Sequence, residues 1–370
     1  LYFQTLKHKN KSIYFVSGKF LKELPQEAKY TWDYYPEFKD KSIEYASLYI
    51  KTDKIDKLAS TACPFIDQYK SIKSKLKSHF ISIKETKINT DKVFIYDLIP
   101  NDLLKQYCFA REEITKYIFD NYAKPYYYDT LLPLVKIIED IKHRSINGKS
   151  VIYDPFKSKT GRLVTKKGSF PILTLSKERR KDIYPENDLF LSLDYNSFEA
   201  RVLLALSGEK QPEIDIHDWN CINIFNGEER EKAKKDFFAW LYNPEAKNEK
   251  LEKIYKKEVV LDKYYNKFFV STPYKLTIPA NSHYALSYLI QSTASYLFYE
   301  QIAKVNNLLR NKKTFISFMI HDNLILDLDK KDKSAIKEIV DIFSETRYGR
   351  FLATIKVGKN FGEMRKICLK

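Results

Sequence analysis

Asp194 and Asp322 each stand at the end of apolar, strand-forming sequence. Ahead of the first, Leu189, Leu191 and Leu193 alternate with Phe190 and Ser192, the period-two pattern of a β-strand. Thr314 to Leu328 has strand character on both sides of His321-Asp322-Asn323, which predicts a hairpin with Asp322 at its tip. Two carboxylates brought together at such ends repel unless cations neutralise them. Mg²⁺ suits that need: it is hard, prefers oxygen, and takes one or two carboxylates plus substrate phosphates. Two ions about 3.5–4 Å apart can clamp the attacking and leaving oxygens of an in-line displacement. One then acidifies the attacking hydroxyl and the other neutralises the leaving pyrophosphate. A single strand-end Asp ordinarily caps or solvates a turn, so the pairing carries the metal reading.

A second constellation is Arg230, Lys234, Phe238 and Tyr242, which recur every four residues and share one helix face. Arg230 and Lys234 can grip phosphate oxygens, one by a planar fork and the other as a point charge. One turn on, Phe238 can stack on a base and sugar, with Tyr242 beyond it. Phe237, Trp240 and Leu241 point elsewhere and can anchor the helix. An amphipathic helix with a basic face and an aromatic core stripe is the simpler account of the same spacing.

Several elements must position these groups. Asn101 to Asn121 and Tyr128 to His143 have helical spacing, the second through Leu131, Leu134, Val135, Ile138 and Ile141, and an antiparallel pair is expected. Ser145 to Thr160 is polar and turn-prone, with Asn147-Gly148 and Asp154-Pro155. Further helices are predicted over Phe198 to Ser207, stopped by Gly208, and over Glu228 to Leu241, Glu249 to Phe269, Tyr284 to Leu309 and Lys333 to Arg347. Segregated strands and helices indicate an α+β fold. Leu1 to Gln4 reads as a protease-cleavage tag remnant and is set aside, consistent with a piece trimmed from a longer protein.

The 64 Lys and Arg against 48 Asp and Glu leave a net charge of +16, which favours a polyanionic partner through counterion release. A solvated lysine-rich surface is the alternative. The 28 Tyr and 24 Phe include more rings than motifs use, and most belong in the core. No run of about 18 apolar residues exists, so no membrane span is expected. Cys63, Cys108, Cys221 and Cys368 are far apart and lack zinc or disulfide spacing, which fits a reducing, intracellular setting. Few glycines with abundant Lys, Asn, Ile and Tyr suggest an AT-rich genome such as a viral one.

Together the segments resemble the family A DNA polymerases, the group of bacterial DNA polymerase I and related phage enzymes. Asp194-Tyr195-Asn196-Ser197-Phe198-Glu199-Ala200-Arg201 is similar to the family's Asp-Tyr-Ser-Gln-Ile-Glu-Leu-Arg, followed by Leu206-Ser207-Gly208 and Asp215-Ile216-His217. Arg230 to Tyr242 is similar to Arg-x3-Lys-x3-Phe-x3-Tyr-Gly, and Ile320-His321-Asp322 to Val-His-Asp-Glu. Thr160-Gly161-Arg162-Leu163, Gln291-Ser292-Thr293-Ala294 and Val357-Gly358-Lys359-Asn360-Phe361 resemble three more, all in family order over roughly residues 100–370.

The resemblance implies a right-hand α+β fold with an antiparallel palm sheet, helical fingers, a helical thumb and a small N-terminal domain. The expected division is tag remnant 1–4, N-terminal domain 5–95, thumb 96–160, palm 161–215, fingers 216–280 and palm again 281–370. It implies template-directed addition of deoxynucleotides to a primer 3′-hydroxyl, with pyrophosphate released and two Mg²⁺ ions, replaceable by Mn²⁺, as cofactors. Asp194, Asp322 and Lys234 would be catalytic, and Asp194, Asp322 and Tyr195 would hold metal. Arg230, Lys234, Phe238, Tyr242, His217 and Glu199 would bind the nucleotide, Glu199 excluding a ribose 2′-hydroxyl. Arg162, Gln291 and His321 would contact DNA, the first two in the minor groove, where acceptors are nearly sequence-independent. Expected partners are primer-template DNA, dNTPs and a processivity or replication factor, with no membrane.

Departures are also present. Asn323 stands for an acid, Asn243 for a Gly, Ser197 for a Gln and His283 for an Arg, which touches fidelity and speed more than metal binding. Residues 5–95 lack an Asp-x-Glu motif, so proofreading is not expected. Alternatives are a catalytically inactive nucleic-acid binder, a single-subunit RNA polymerase, which Glu199 disfavours, and a metal nuclease, for which a triphosphate-gripping helix has no purpose.

Overall fold

The structure is a computed structural model that describes residues 1–39, 41–90, 92–146, 148–243 and 245–368. The expected turn residue Asn147 lies outside the described residues. The chain packs into two compact units, residues 1–128 and 129–370.

The first unit has a three-stranded antiparallel sheet of β1 (Phe3–His8), β2 (Lys11–Val16) and β3 (Lys19–Leu21), with helices α1 (Ile66–Glu85) and α2 (Asn101–Asn121). Ser17 and Gly18 join β2 to β3 with φ of 48° and 81°, the positive pair that a tight two-residue hairpin requires. Ile66, Tyr69, Leu76 and Ile83 recur on one face of α1 and are buried with Cys108, Ile114 and Ile118 of α2. Two expectations change here. Leu1 to Gln4 belongs to the fold, because β1 begins at Phe3, and Phe3 and Gln4 are fully buried. The Gln4 side chain donates to Thr115 Oγ1 and accepts from Arg111 Nε, both at 3.2 Å, so those residues satisfy buried polar groups. The helix at 101–121 packs along α1, so by packing it joins residues 1–95.

The second unit begins within α3 (Tyr128–Lys142), whose Leu131, Leu134, Ile138 and Ile141 are buried as their spacing predicts. Its centre is a five-stranded, wholly antiparallel sheet. In chain order the strands are β4 (Leu189–Tyr195), β5 (Phe315–Ile320), β6 (Asn323–Leu328), β7 (Ala353–Gly358) and β8 (Arg365–Lys366). In space the order is β5-β6-β4-β7-β8. β4 is central and buried on both faces, with Phe190 and Ser192 as enclosed as Leu191 and Leu193.

Between strands run α4 (Phe198–Leu206), α5 (Ile216–Asn223), α6 (Arg230–Tyr242), α7 (Glu249–Tyr255), α8 (Lys257–Tyr264), α9 (Ser282–Leu309) and α10 (Ile336–Ser344). α9 packs against α4 and α10. The helix expected over Glu249 to Phe269 is two helices and a strand, Phe269–Ser271. Lys256 breaks it with φ 46°, and the turn lets the Lys257 ammonium donate to the Trp240 carbonyl at 3.0 Å. The helix expected over Lys333 to Arg347 is shortened to α10 by a 3₁₀ turn at Lys330–Ala335 and a strand at Glu345–Thr346. No helix among the described residues is long and apolar enough to cross a membrane.

Candidate active site

The five-stranded sheet brings the two carboxylates together. Asp194 is the cross-strand partner of Asn323, the residue after Asp322, and His321-Asp322 forms the two-residue turn between β5 and β6. Asp194 and Asp322 are both half-buried. Burial first, then the charge of Asp322, pushes the Asp194 carboxyl up to about 6, while Lys356 opposes the shift. Asp322 is also raised, chiefly by burial, against the pull of its own amide, His321 and Arg162. Two ionisable groups that resist carrying charge side by side form an environment suited to a divalent cation. Among the described residues no group of three or more His, Cys, Asp or Glu could hold a metal. The pair therefore supplies only part of a coordination shell, which is how Mg²⁺ is bound when substrate phosphates complete it.

Both ends of the site have backbone in the left-handed region at non-glycine residues, Ser197 at φ 48° and His321 at φ 54°. Such residues cost about 1 kcal/mol or more each and persist where surrounding structure holds them. What holds Ser197 is the loop beneath it. Arg201, fully buried, donates through Nε to the Asn196 carbonyl at 2.9 Å and through its terminal nitrogens to the Pro212 and Ile214 carbonyls at 2.9 and 2.7 Å and to Asn196 Oδ1 at 3.2 Å. Asn196 in turn donates to Asp215 Oδ2 at 2.6 Å, and Asp215 caps α5 through the His217 and Asp218 amides. Burial would raise Asp215, but the Asn196 hydrogen bond, these amides and Arg230 outweigh it and hold it below its usual range.

Tyr195 lies between Phe198 and Phe343, ring centroids 4.3 and 4.2 Å away and nearly parallel, and its hydroxyl donates to the Phe343 carbonyl. The main-chain carbonyl is what Tyr195 can offer a metal. Tyr195 thereby clamps the strand end to α4 and α10.

α6 meets this platform along the face read from its spacing. The Tyr242 hydroxyl donates to one Glu199 carboxylate oxygen, and Arg162 donates to the other. Phe238 stacks on Tyr242 at 6.0 Å and 5°, and lies 5.4 Å from the His217 ring. His217 is 2% exposed, and among the described residues both its ring nitrogens lack a partner. Burial, with Arg230 and Lys234 nearby, lowers its pKa to about 4 against the pull of Asp215. A neutral buried imidazole with two unsatisfied nitrogens beside two cations fits a site that an anionic or hydroxyl-bearing ligand completes. Lys234 is half-buried and, among the described residues, has no ion pair. Arg230 is engaged: it donates to Asp215 at 3.0 Å, Asp218 at 2.8 Å and Glu231 at 2.9 Å. It can reach a triphosphate only by exchanging those carboxylates.

Arg162 is aimed by its own segment. Gly161 has φ +82°, and a Cβ there would lie 2.7 Å from the Tyr296 ring. Tyr299 accepts from the Leu163 amide at 3.1 Å and donates to the Gly161 carbonyl at 2.8 Å, pinning the segment to α9. Gln291, half-buried on α9, donates to Ser287 at 3.2 Å and, among the described residues, contacts neither Asp194 nor Asp322. His321 is exposed. The supporting roles of Asn196, Asp215 and Tyr299 and the charge of Lys356 were not singled out by spacing. An Arg seven residues past Asp194, followed by the apolar run Val202 to Leu206, was a signal available for the network.

The chain is similar to known polymerases. It is 24% identical over 311 residues to the DNA polymerase I of Borreliella burgdorferi, covering 68% of this chain and 33% of that protein. The chain thus spans about a third of the length of the curated relative it matches. Among solved structures, the POL domain of Pol1 from M. smegmatis in complex with DNA primer-template and dNTP aligns with a TM-score of 0.47 at 14% identity, covering 72% of this chain and 55% of that one. No protein-family model matches. The sequence likeness to DNA polymerase I supports the resemblance to family A DNA polymerases drawn from the motifs.

Proposed function

We propose that this chain, with its likeness to the family A DNA polymerases, is a template-directed DNA polymerase that extends a primer 3′-hydroxyl with dNTPs and does not proofread. The observation that carries the reading is the convergence, on one sheet end, of the half-buried Asp194 and Asp322 with a helix presenting Lys234, Phe238 and Tyr242. Asp194, Asp322 and the Tyr195 carbonyl would hold two Mg²⁺ ions, or Mn²⁺ in their place. Bound there, the metals supply acidification of the 3′-hydroxyl and charge neutralisation of pyrophosphate. Lys234 and His217 would bind the triphosphate, joined by Arg230 once its carboxylates are exchanged, and Lys234 is placed to donate to the leaving pyrophosphate. Phe238 would stack on the nucleotide. Glu199, held by Arg162 and Tyr242, would fill the space of a 2′-hydroxyl. Arg162, Gln291 and His321 would face the primer-template. In this reading α5 to α8 belong to the fingers, the five-stranded sheet to the palm, and α3, the helix of the expected thumb segment that lies in the second unit, to the thumb.

Primer extension with Mg²⁺ tests it. Asp194→Asn and Asp322→Asn should abolish extension while primer-template affinity stays within about twofold. A wild type that binds primer-template but extends nothing with Mg²⁺ or Mn²⁺ would establish an inactive binder instead. Preferential NTP incorporation would establish an RNA polymerase.

A further inference from the structure

The sheet face that carries Asp194 also carries two lysines. Cross-strand partners point to one side of a sheet, as do residues two apart on a strand. Ser192 pairs with Lys356, and Lys356 pairs with Lys366, so both lysines share the face of Ser192 and Asp194. Two like charges directly opposite one another destabilise a sheet. Among the described residues neither lysine forms an ion pair, although Lys356 lies near enough to Asp194 to lower its pKa. The adjoining open cleft, about 990 Å³, is lined by Lys359, Arg365 and Lys366, with Glu363 as the one acid among its described lining residues. The Glu363 carboxylate is already occupied by Lys181 at 3.4 Å and by a hydrogen bond from the Asn360 side-chain amide at 3.2 Å. A lysine pair held side by side next to a basic cleft is a surface arranged for an anion held from outside.

Its position says which anion. α6 meets the site through Glu199 and Asp215, both past Asp194 in the chain direction of β4. Lys356 lies at the level of Ser192, on the other side of Asp194 along the strand. The lysines therefore sit on the side of Asp194 away from the nucleotide-gripping helix. In an in-line displacement the attacking 3′-hydroxyl lies opposite the leaving pyrophosphate, so the primer strand would run to that side. Lys356 is near enough to Asp194 to act on its carboxyl.

We propose that Lys356 and Lys366 bind the sugar-phosphate backbone of the nascent duplex just behind the primer terminus. This rests on the polymerase reading. Side by side, with Cβ atoms about 4.5–5.5 Å apart, they can span neighbouring phosphates of one strand and fix its register relative to Asp194.

The full chain and its Lys356→Gln, Lys366→Gln and double variants are titrated into a labelled primer-template over a salt series, read by fluorescence anisotropy. Each single variant should weaken binding several-fold at low salt and flatten the dependence of log Kd on log salt by about 0.9 per lost phosphate contact. Neutral methylphosphonates are then placed singly at the first few linkages of each strand. At least one should weaken wild-type binding and cost the double variant nothing further. Equal affinity and slope in the variants, or methylphosphonate losses that persist in them, would overturn the proposal while leaving wild-type extension, and so the polymerase reading, intact. A wild type that binds no primer-template removes both. Lys366→Gln should melt no lower than wild type, since it relieves a like-charge pair. Lower melting in both single variants would assign the lysines to the fold and overturn the proposal.

Discussion

Replacing Asp194 by Asn should stabilise the metal-free protein while removing its activity. The folded Asp194 carboxyl keeps its proton up to about pH 6, whereas the unfolded chain releases it near the ordinary carboxyl value of 3.8. Between those pH values the folded state binds more protons than the unfolded one, so stability falls as pH rises and the whole penalty is present above about 6. Two pH units at about 1.36 kcal/mol each set a ceiling of about 3 kcal/mol. The carboxyl is only half-buried, so solvent screening reduces this to about 1–2 kcal/mol. Urea denaturation with EDTA checks it. At pH 7.5 Asp194→Asn should exceed wild type by that amount, and the gap should close near pH 4. Mg²⁺ should stabilise wild type more than the variant. Equal or lower stability of the variant at pH 7.5 in EDTA would refute the argument that burial and Asp322 strain this carboxylate.

Glu199→Ala should raise NTP incorporation relative to dNTP by about tenfold or more, a difference of about 1.4 kcal/mol, measured by single-nucleotide extension. Gly161→Ala combines a positive φ with a Cβ 2.7 Å from the Tyr296 ring, so it should cost about 1–3 kcal/mol in urea denaturation and weaken DNA binding through Arg162. A smaller cost of Gly161→Ala in a Tyr296→Leu background than in the wild type would identify the clash as part of the cause, the positive φ accounting for the remainder. Arg201→Leu leaves the Asn196, Pro212 and Ile214 carbonyls without their donor and should lower stability by about 3–5 kcal/mol. A melting temperature unchanged in that variant would mean the network does not hold the strand end.

Local pattern was enough for much of this molecule. The period-two run before Asp194 and the strands flanking Asp322 are β4 and the β5–β6 hairpin, and the four-residue recurrence from Arg230 is α6. These features depend on neighbours a few residues apart, and side-chain periodicity reports them directly. Break points were harder: Lys256 carries no glycine or proline signal, yet its left-handed backbone divides one expected helix into two. Phe3 and Gln4, set aside on their letters, are fully buried, and distant Thr115 and Arg111 complete the Gln4 hydrogen bonds. The site was legible as residue types and unreadable as contacts. Arg162, Glu199 and Tyr242 meet across 37 and 43 positions of chain, Arg230 is committed to Asp215 and Asp218, and Lys356 reaches Asp194 through strand register alone. Charge and hydrogen-bonding capacity belong to a residue wherever it is placed, so composition and spacing disclose them. Which charge faces which partner is a property of packing, because register, helix docking and burial set the separations and the local dielectric that turn a listed side chain into a strained acid, a locked cation or a neutral imidazole.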